Sequence, residues 1–139
     1  MLERGMDAQA QLDSFIDKFT PEVVANARRA LAFLQARLPT ANRLVYDNYN
    51  ALVIAFGASD KVGGIILSIA LYPRYVTLFF LRGIDLPDPH GLLEGSGAQV
   101  RSVRLDPISR LETPEVGALI DAAIANGVPL PAKIGRAHV

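Results

Sequence analysis

The chain has 139 residues, of which 50% are apolar and 20% charged, and its 14 basic and 14 acidic residues leave no formal net charge. This composition excludes a disordered chain, which combines low hydrophobicity with high net charge. The absence of cysteine excludes disulfides, thiolate zinc sites and cysteine nucleophiles, and the lack of a basic stripe predicts that nucleic acid is not a partner.

The sequence also predicts no membrane partner. Residues 1–7 are charged and lack an apolar core, so they do not resemble a signal peptide. The longest apolar run, 65–72, is far shorter than the ~20 residues that a membrane helix needs. We therefore expect a cytoplasmic protein.

Two helices are predicted at the start of the chain and one near its end. Apolar residues recur at helical spacing from Leu12 to Phe19. Thr20, followed by a Pro-Glu pair, is a typical start of the second helix, and the proline after Leu38 ends it. Thr113 repeats the start signal before a third amphipathic helix, which an Asn-Gly pair and a later proline terminate.

Between these helices the pattern predicts a sheet of about five strands, at 44–46, 51–56, 65–71, 76–81 and 99–105. The connections among the first four are too short for helical crossovers, so the sheet should be antiparallel. In 51–56 the larger side chains alternate with smaller ones, which places them on opposite faces. We expect an α+β fold in which the two N-terminal helices and the C-terminal helix pack against the sheet.

We expect residues 8–130 to form a single domain. The last seven residues, 133–139, read like a frame translation of a common sequencing-adapter oligonucleotide, as in a truncated metagenomic read. Residues 131–139 are therefore expected to be a sequencing artefact or a disordered tail.

A glycine-rich loop followed by two arginines is the first candidate site. Glu94, Gly95 and Gly97 precede Arg101 and Arg104. Glycines let backbone N–H groups approach an anion, and an arginine adds a planar fork of donors. Residues three apart on a strand point to opposite faces, so one anion cannot contact both arginines unless a bulge intervenes. The alternative is a tight turn that enters an edge strand with solvated arginines.

Tyrosines at predicted strand ends form the second candidate. We expect Tyr46, Asn48, Tyr49 and Tyr72 to line a small-molecule cleft together with the glycine loop, and Tyr75 belongs to the same group. A tyrosine offers an apolar ring and a polar tip, which suits such a cleft. The alternative is that these rings cap the core with their hydroxyls in water.

A third candidate is a divalent metal site. Asp85, Asp88 and His90 offer two carboxylates and an imidazole in one proline-rich segment. The alternative is an exposed turn stiffened by its prolines.

Several segments carry a family resemblance: LDSFI at 12–16, ARLP at 36–39, RLVYDNYN at 43–50, the segment 72–80 and GLLEGSGAQVRSVR at 91–104. On these the chain resembles the YdhG-like bacterial family, a domain of unknown function. The resemblance implies a compact α+β fold with an antiparallel sheet. Some members are described as frataxin-like iron chaperones, so iron is implied by this resemblance only.

The combined pattern favours a non-enzymatic domain that binds a small, anionic ligand. No acid and base can be paired from the sequence, so catalysis is not expected. One alternative is an intracellular iron or metal chaperone, which would need carboxylates gathered around a hard cation. Another is a structural or interaction protein that acts as a homodimer through the apolar faces of its sheet.

Overall fold

The computed structural model describes residues 4–48, 50–132 and 137–138. The predicted α+β fold is confirmed, with three helices and five antiparallel strands in the expected order. The helices are Arg4–Ile16 (α1), Pro21–Arg37 (α2) and Pro114–Asn126 (α3). The strands are Asn42–Asp47 (β1), Leu52–Gly57 (β2), Ile65–Leu71 (β3), Val76–Phe80 (β4) and Arg101–Arg104 (β5).

Threonine caps begin α2 and α3, as the sequence predicts. The Oγ1 of Thr20 accepts a hydrogen bond from the N–H of Val23 at 3.3 Å, and that of Thr113 accepts one from Val116 at 3.4 Å. Each bond satisfies a backbone donor that the first helical turn leaves unpaired. Leu38 caps the end of α2. None of the helices in the described segments combines the length and apolarity needed to cross a membrane.

The sheet runs in the order β5-β4-β3-β2-β1 and gains one further strand at the β1 edge. Ala137–His138 (β6) pairs with β1 in parallel, opposite Arg43 and Leu44. The sequence analysis assigned no strand to this segment, so β6 is an addition to the predicted sheet. The prediction that 131–139 is an artefact or a disordered tail stays a prediction.

One face of the sheet, here called the helix face, holds the core. Leu52, Ile54 and Phe56 of β2 are completely buried, and they pack in one cluster with buried residues of all three helices, among them Ile16 and Leu119. The alternation of large and small side chains in β2 predicts this arrangement. All three helices therefore lie on the same side of the sheet.

The opposite face, here called the outer face, carries two rows of side chains that cross all five strands. The register aligns one row as Tyr46, Val53, Ala70, Thr77 and Arg104, and the other as Leu44, Ala55, Ser68, Phe79 and Ser102. Small side chains occupy the middle of the rows on β3, whereas the larger Tyr46 and Leu44 stand on β1, Phe79 on β4 and Arg104 on β5. The β4–β5 end is where the candidate site lies.

The connection from β4 to β5, to which the sequence assigned no element between the strands predicted at 76–81 and 99–105, contains local structure. A short 3-10 helix, Gly83–Asp85, follows β4. Later in the connection Glu94 forms an antiparallel bridge with Ser102, in which each residue donates its N–H to the other's carbonyl at 2.9 Å. This bridge covers part of the exposed edge of β5 and fixes where Glu94 stands.

Candidate functional site

A hollow of about 190 Å³ lies on the outer face, at the β4–β5 end of the sheet. Three parts of the chain form it: the turn between β3 and β4, the strands β4 and β5, and the segment that bridges to β5. Its lining residues are Tyr72, Tyr75, Thr77, Phe79, Glu94, Ser102 and Arg104.

The strand register explains why these side chains meet. Thr77 and Phe79 lie two residues apart on β4 and therefore share a face. Arg104 is paired with Thr77, and Ser102 is paired with Phe79. Glu94 stands directly opposite Ser102 on the other side of β5. The hollow thus gathers neighbours on one face of three antiparallel segments.

Two tyrosines at the β3–β4 turn close one side of the hollow. The N–H of Tyr72 donates to the carbonyl of Tyr75 at 2.9 Å, which closes the turn. The two ring centroids are 5.2 Å apart with the rings tilted by 38°. This spacing lies in the favourable range for aromatic pairs, so each ring restricts the other.

Arg104 supplies the positive charge of the hollow. Its guanidinium carbon lies 3.9 Å from the centroid of the Tyr75 ring, a cation–π contact that restricts the side chain. The Nη1 of Arg110 donates to the carbonyl of Arg104 at 2.9 Å and secures the end of β5. Among the described residues, Arg104 forms no ion pair with a carboxylate, and Glu94 forms no ion pair with a cation.

Arg101 lies apart from the hollow. It pairs with Phe80, so it lies on the helix face, opposite to Arg104, as the strand alternation predicts. Its Nη1 donates to the carbonyls of Gly97 at 2.7 Å and Val100 at 2.8 Å. Gly95 adopts a φ of +128° in the same loop. Arg101 and the two predicted glycines shape the loop but do not line the hollow.

The predicted residues of β1 are not brought to the hollow. Tyr46 and Arg104 stand at opposite ends of one outer-face row, four strand spacings or about 19 Å apart. Asn48 closes the β1–β2 turn, where its N–H donates to the carbonyl of Ala51 at 2.9 Å. Tyr49 lies outside the described residues. Of the predicted cleft residues, Tyr72, Glu94 and Arg104 therefore meet.

The three predicted metal ligands do not form a cluster. The Asp85 carboxylate accepts hydrogen bonds from Nε and Nη2 of Arg82 at 3.1 and 2.9 Å. The two oxygens of Asp88 accept the N–H groups of Leu92 and Leu93, each at 2.9 Å, so Asp88 holds the loop together. No group of three His, Asp or Glu side chains that could hold a metal ion exists in 4–48, 50–132 or 137–138.

Two other hollows are also bordered by charged side chains. One, of about 160 Å³, lies beside the end of α3 and is bordered by Arg82 and Asp85, which pair with each other. The second, of about 180 Å³, lies at the start of α3 and includes Asp88, whose oxygens accept backbone N–H groups. The outer-face hollow differs from these two because an arginine, Arg104, and a carboxylate, Glu94, line it together without forming an ion pair.

Three lining residues were not predicted as site residues: Thr77, Phe79 and Ser102. Tyr75 had been grouped with the predicted tyrosines, and alternate residues from position 75 onward must share a face of β4, so the signal for Thr77 and Phe79 was present in the sequence. The same rule places Ser102 on the face of Arg104. What the sequence lacked was the register that sets β5 beside β4.

Outside the hollow, charged side chains pair to join elements of the fold. A hydrogen bond from Arg28, 2.6 Å long, holds the pKa of the Asp13 carboxyl below its usual value. In the same way a hydrogen bond from Arg29 lowers the pKa of Glu112. Burial lowers the pKa of Arg43, whose Nη2 donates to Gln9 of α1. These contacts join α1 to α2, α1 to β1, and α2 to the segment that precedes α3.

Comparison with known proteins adds no assignment. A scan against models of protein families, a search of curated proteins and a search of solved structures each found no match. The resemblance to the YdhG-like family therefore stays a prediction, and the site must be interpreted from its own geometry.

Proposed function

We propose that this protein is a non-enzymatic binding module for a small molecule with an anionic group, which Arg104 holds in the outer-face hollow. The observation that carries the proposal is the environment of the Arg104 guanidinium. Its guanidinium is stacked on Tyr75 and faces a concave surface, and no carboxylate of the described residues neutralises it.

The chemistry of the lining supports an anionic group as the ligand's anchor. A guanidinium presents a planar fork of N–H donors that matches the oxygens of a carboxylate or a phosphate. Stacking on Tyr75 limits the conformations of Arg104 before binding, so less entropy is lost when the ligand binds. The hydroxyls of Thr77 and Ser102 supply further hydrogen bonds on the same face.

The proposal assigns binding and not catalysis. The lining contains the hydroxyl groups of Thr77 and Ser102 and the carboxylate of Glu94 but no histidine, and among the described residues no hydrogen bond joins that carboxylate to either hydroxyl. A serine or threonine hydroxyl needs an adjacent base to act as a nucleophile. We place this binding in the cytoplasm, in line with the expectation from the sequence.

The test is a titration followed by NMR of the ¹⁵N-labelled protein with 3-phenylpropionate and, separately, with inorganic phosphate. We expect at least one of the two to bind, and Arg104→Gln to weaken that binding about tenfold or more, as expected for the loss of a charge-assisted hydrogen bond. Lys61→Gln is the matched control: it removes the same charge from an exposed turn at the other end of β3 and should leave the affinity unchanged.

Two results would contradict the proposal. The first is that neither 3-phenylpropionate nor phosphate binds, and that no related anion carrying an additional ammonium group binds either. The second is an affinity that falls equally in the Arg104 and Lys61 variants, since that would indicate a non-specific charge effect.

The other two functions stay predictions. The metal-chaperone alternative rests on the family resemblance, and the homodimer alternative rests on the apolar residues of both sheet faces. No contact among the described residues favours either of these functions over ligand binding in the outer-face hollow.

A further inference from the structure

Glu94 gives the outer-face hollow a negative charge to set beside the positive charge of Arg104. The bridge to Ser102 fixes Glu94 in a strand-like position next to β5, and Arg104 lies two residues beyond Ser102 on the same face. Glu94 and Arg104 are therefore diagonal neighbours, and such neighbours are about 7–8 Å apart in an antiparallel pair.

These two opposite charges do not neutralise each other. Diagonal neighbours with long side chains can reach one another, yet Glu94 and Arg104 form no ion pair. Arg104 is instead stacked on Tyr75. Both charged groups line the same hollow, which lies between the β3–β4 turn and the Glu94 bridge.

We propose that the ligand of this hollow is a zwitterion of amino-acid size, with its carboxylate on Arg104 and its ammonium group on Glu94. This inference rests on the proposed function and adds the second charge to it. A ligand with a carboxylate alone would leave Glu94 without a partner and close to a second negative charge. A ligand that carries both charges matches both side chains at once.

The size and the aromatic lining fit this class of ligand. A hollow of about 190 Å³ accommodates a molecule of a few heavy atoms up to a single amino acid. Tyr72 borders the hollow on the turn side, where its ring adds apolar surface. Phe79 provides an apolar surface for a side chain.

A matched set of three probes tests the inference: L-phenylalanine, 3-phenylpropionate, which lacks the ammonium group, and 2-phenylethylamine, which lacks the carboxylate. Dissociation constants are measured by NMR titration at pH 7. We expect L-phenylalanine to bind about tenfold or more tightly than either of the other two, because each charge-assisted contact is worth about that factor. L-alanine against propionate repeats the comparison for a smaller ligand.

The variant Glu94→Gln separates the two charges within the site. It keeps the size of the side chain and should weaken L-phenylalanine binding about tenfold while the affinity for 3-phenylpropionate stays the same or rises. Glu115→Gln removes the same charge from an exposed position at the start of α3 and serves as the control. The amide spectrum of each variant shows whether it is folded.

The outcomes distinguish this inference from the proposed function. If 3-phenylpropionate binds as tightly as L-phenylalanine and both depend on Arg104, the anion site stands and the zwitterion inference is wrong. If Glu94→Gln weakens both probes equally, Glu94 shapes the loop and does not recognise the ammonium group. If no probe binds, both proposals fail.

Discussion

Single charged residues decide how the stability of this protein responds to acid. The pKa of Asp13 in the folded protein lies below its usual value of 3.8, chiefly because Arg28 donates a hydrogen bond to it. Above this pH the carboxylate is ionised in both the folded and the unfolded chain, and the contact contributes fully. As the pH falls below 3.8, the unfolded chain takes up the proton first, so this part of the stability is lost.

Asp13→Asn should therefore flatten the loss of stability on acidification between about pH 5 and pH 2. Because Asp13 and Arg28 have 42% and 41% of their side chains exposed, the difference should be only about 0.2–1 kcal/mol. Urea unfolding at each pH measures it. Asp60→Asn, in the exposed turn before β3, is the control, and a response equal to that of Asp13→Asn would contradict the assignment.

At this same scale, the sequence predicted one part of the site and missed another. Alternation along a strand correctly separated Arg101 from Arg104, because the rule depends only on the distance between them along the chain. It could not show that Arg101 would donate to Gly97 and Val100. Nor could it show that Tyr75 would lie beneath Arg104, since that contact depends on the pairing of β5 with β4.

At the scale of elements, the close approach between the 3-10 helix and β5 is sensitive to a single methyl group. A Cβ at Gly83 would lie 2.4 Å from the Cβ of Arg101 and 2.8 Å from its backbone nitrogen. Gly83→Ala must therefore push the 3-10 helix away from β5. We expect a loss of about 1–3 kcal/mol, which corresponds to a fall in Tm of roughly 3–10 °C for a domain of this size.

Gly97→Ala is the control for this prediction, because a Cβ there would meet no atom within 4 Å. Thermal unfolding followed by circular dichroism measures both variants. Equal values of Tm for the two variants would contradict the close approach of Gly83 to Arg101.

Elements were the level at which sequence analysis was most reliable. Capping by Thr20 and Thr113, and the end of α2 at Leu38, depend on local chemistry that a few residues specify. The region between β4 and β5 was less predictable. Its short 3-10 helix and the Glu94 bridge depend on contacts with β5, which local patterns do not contain.

For the whole molecule, short connections between strands determined the antiparallel order, and this part of the fold could be predicted. The buried stripe of each helix predicts that it packs against the sheet, and all three stripes join one core cluster on the helix face. The outer face could not be predicted in the same way. Its hollow brings Tyr72, Glu94 and Arg104 together through the register of β4, β5 and the segment that bridges to β5. Tyr46 is a tyrosine like Tyr72, yet it lies on β1, far from the hollow.

The most direct test of the outer-face hollow is to locate a bound probe. Intermolecular NOEs between L-phenylalanine and the ¹³C-labelled protein report which side chains lie within about 5 Å of it. The account predicts NOEs to the rings of Tyr72, Tyr75 and Phe79, which line the hollow. Ile66 and Ala123 line the other hollow, beside the end of α3. NOEs to these two residues, with none to the three rings, would contradict the account.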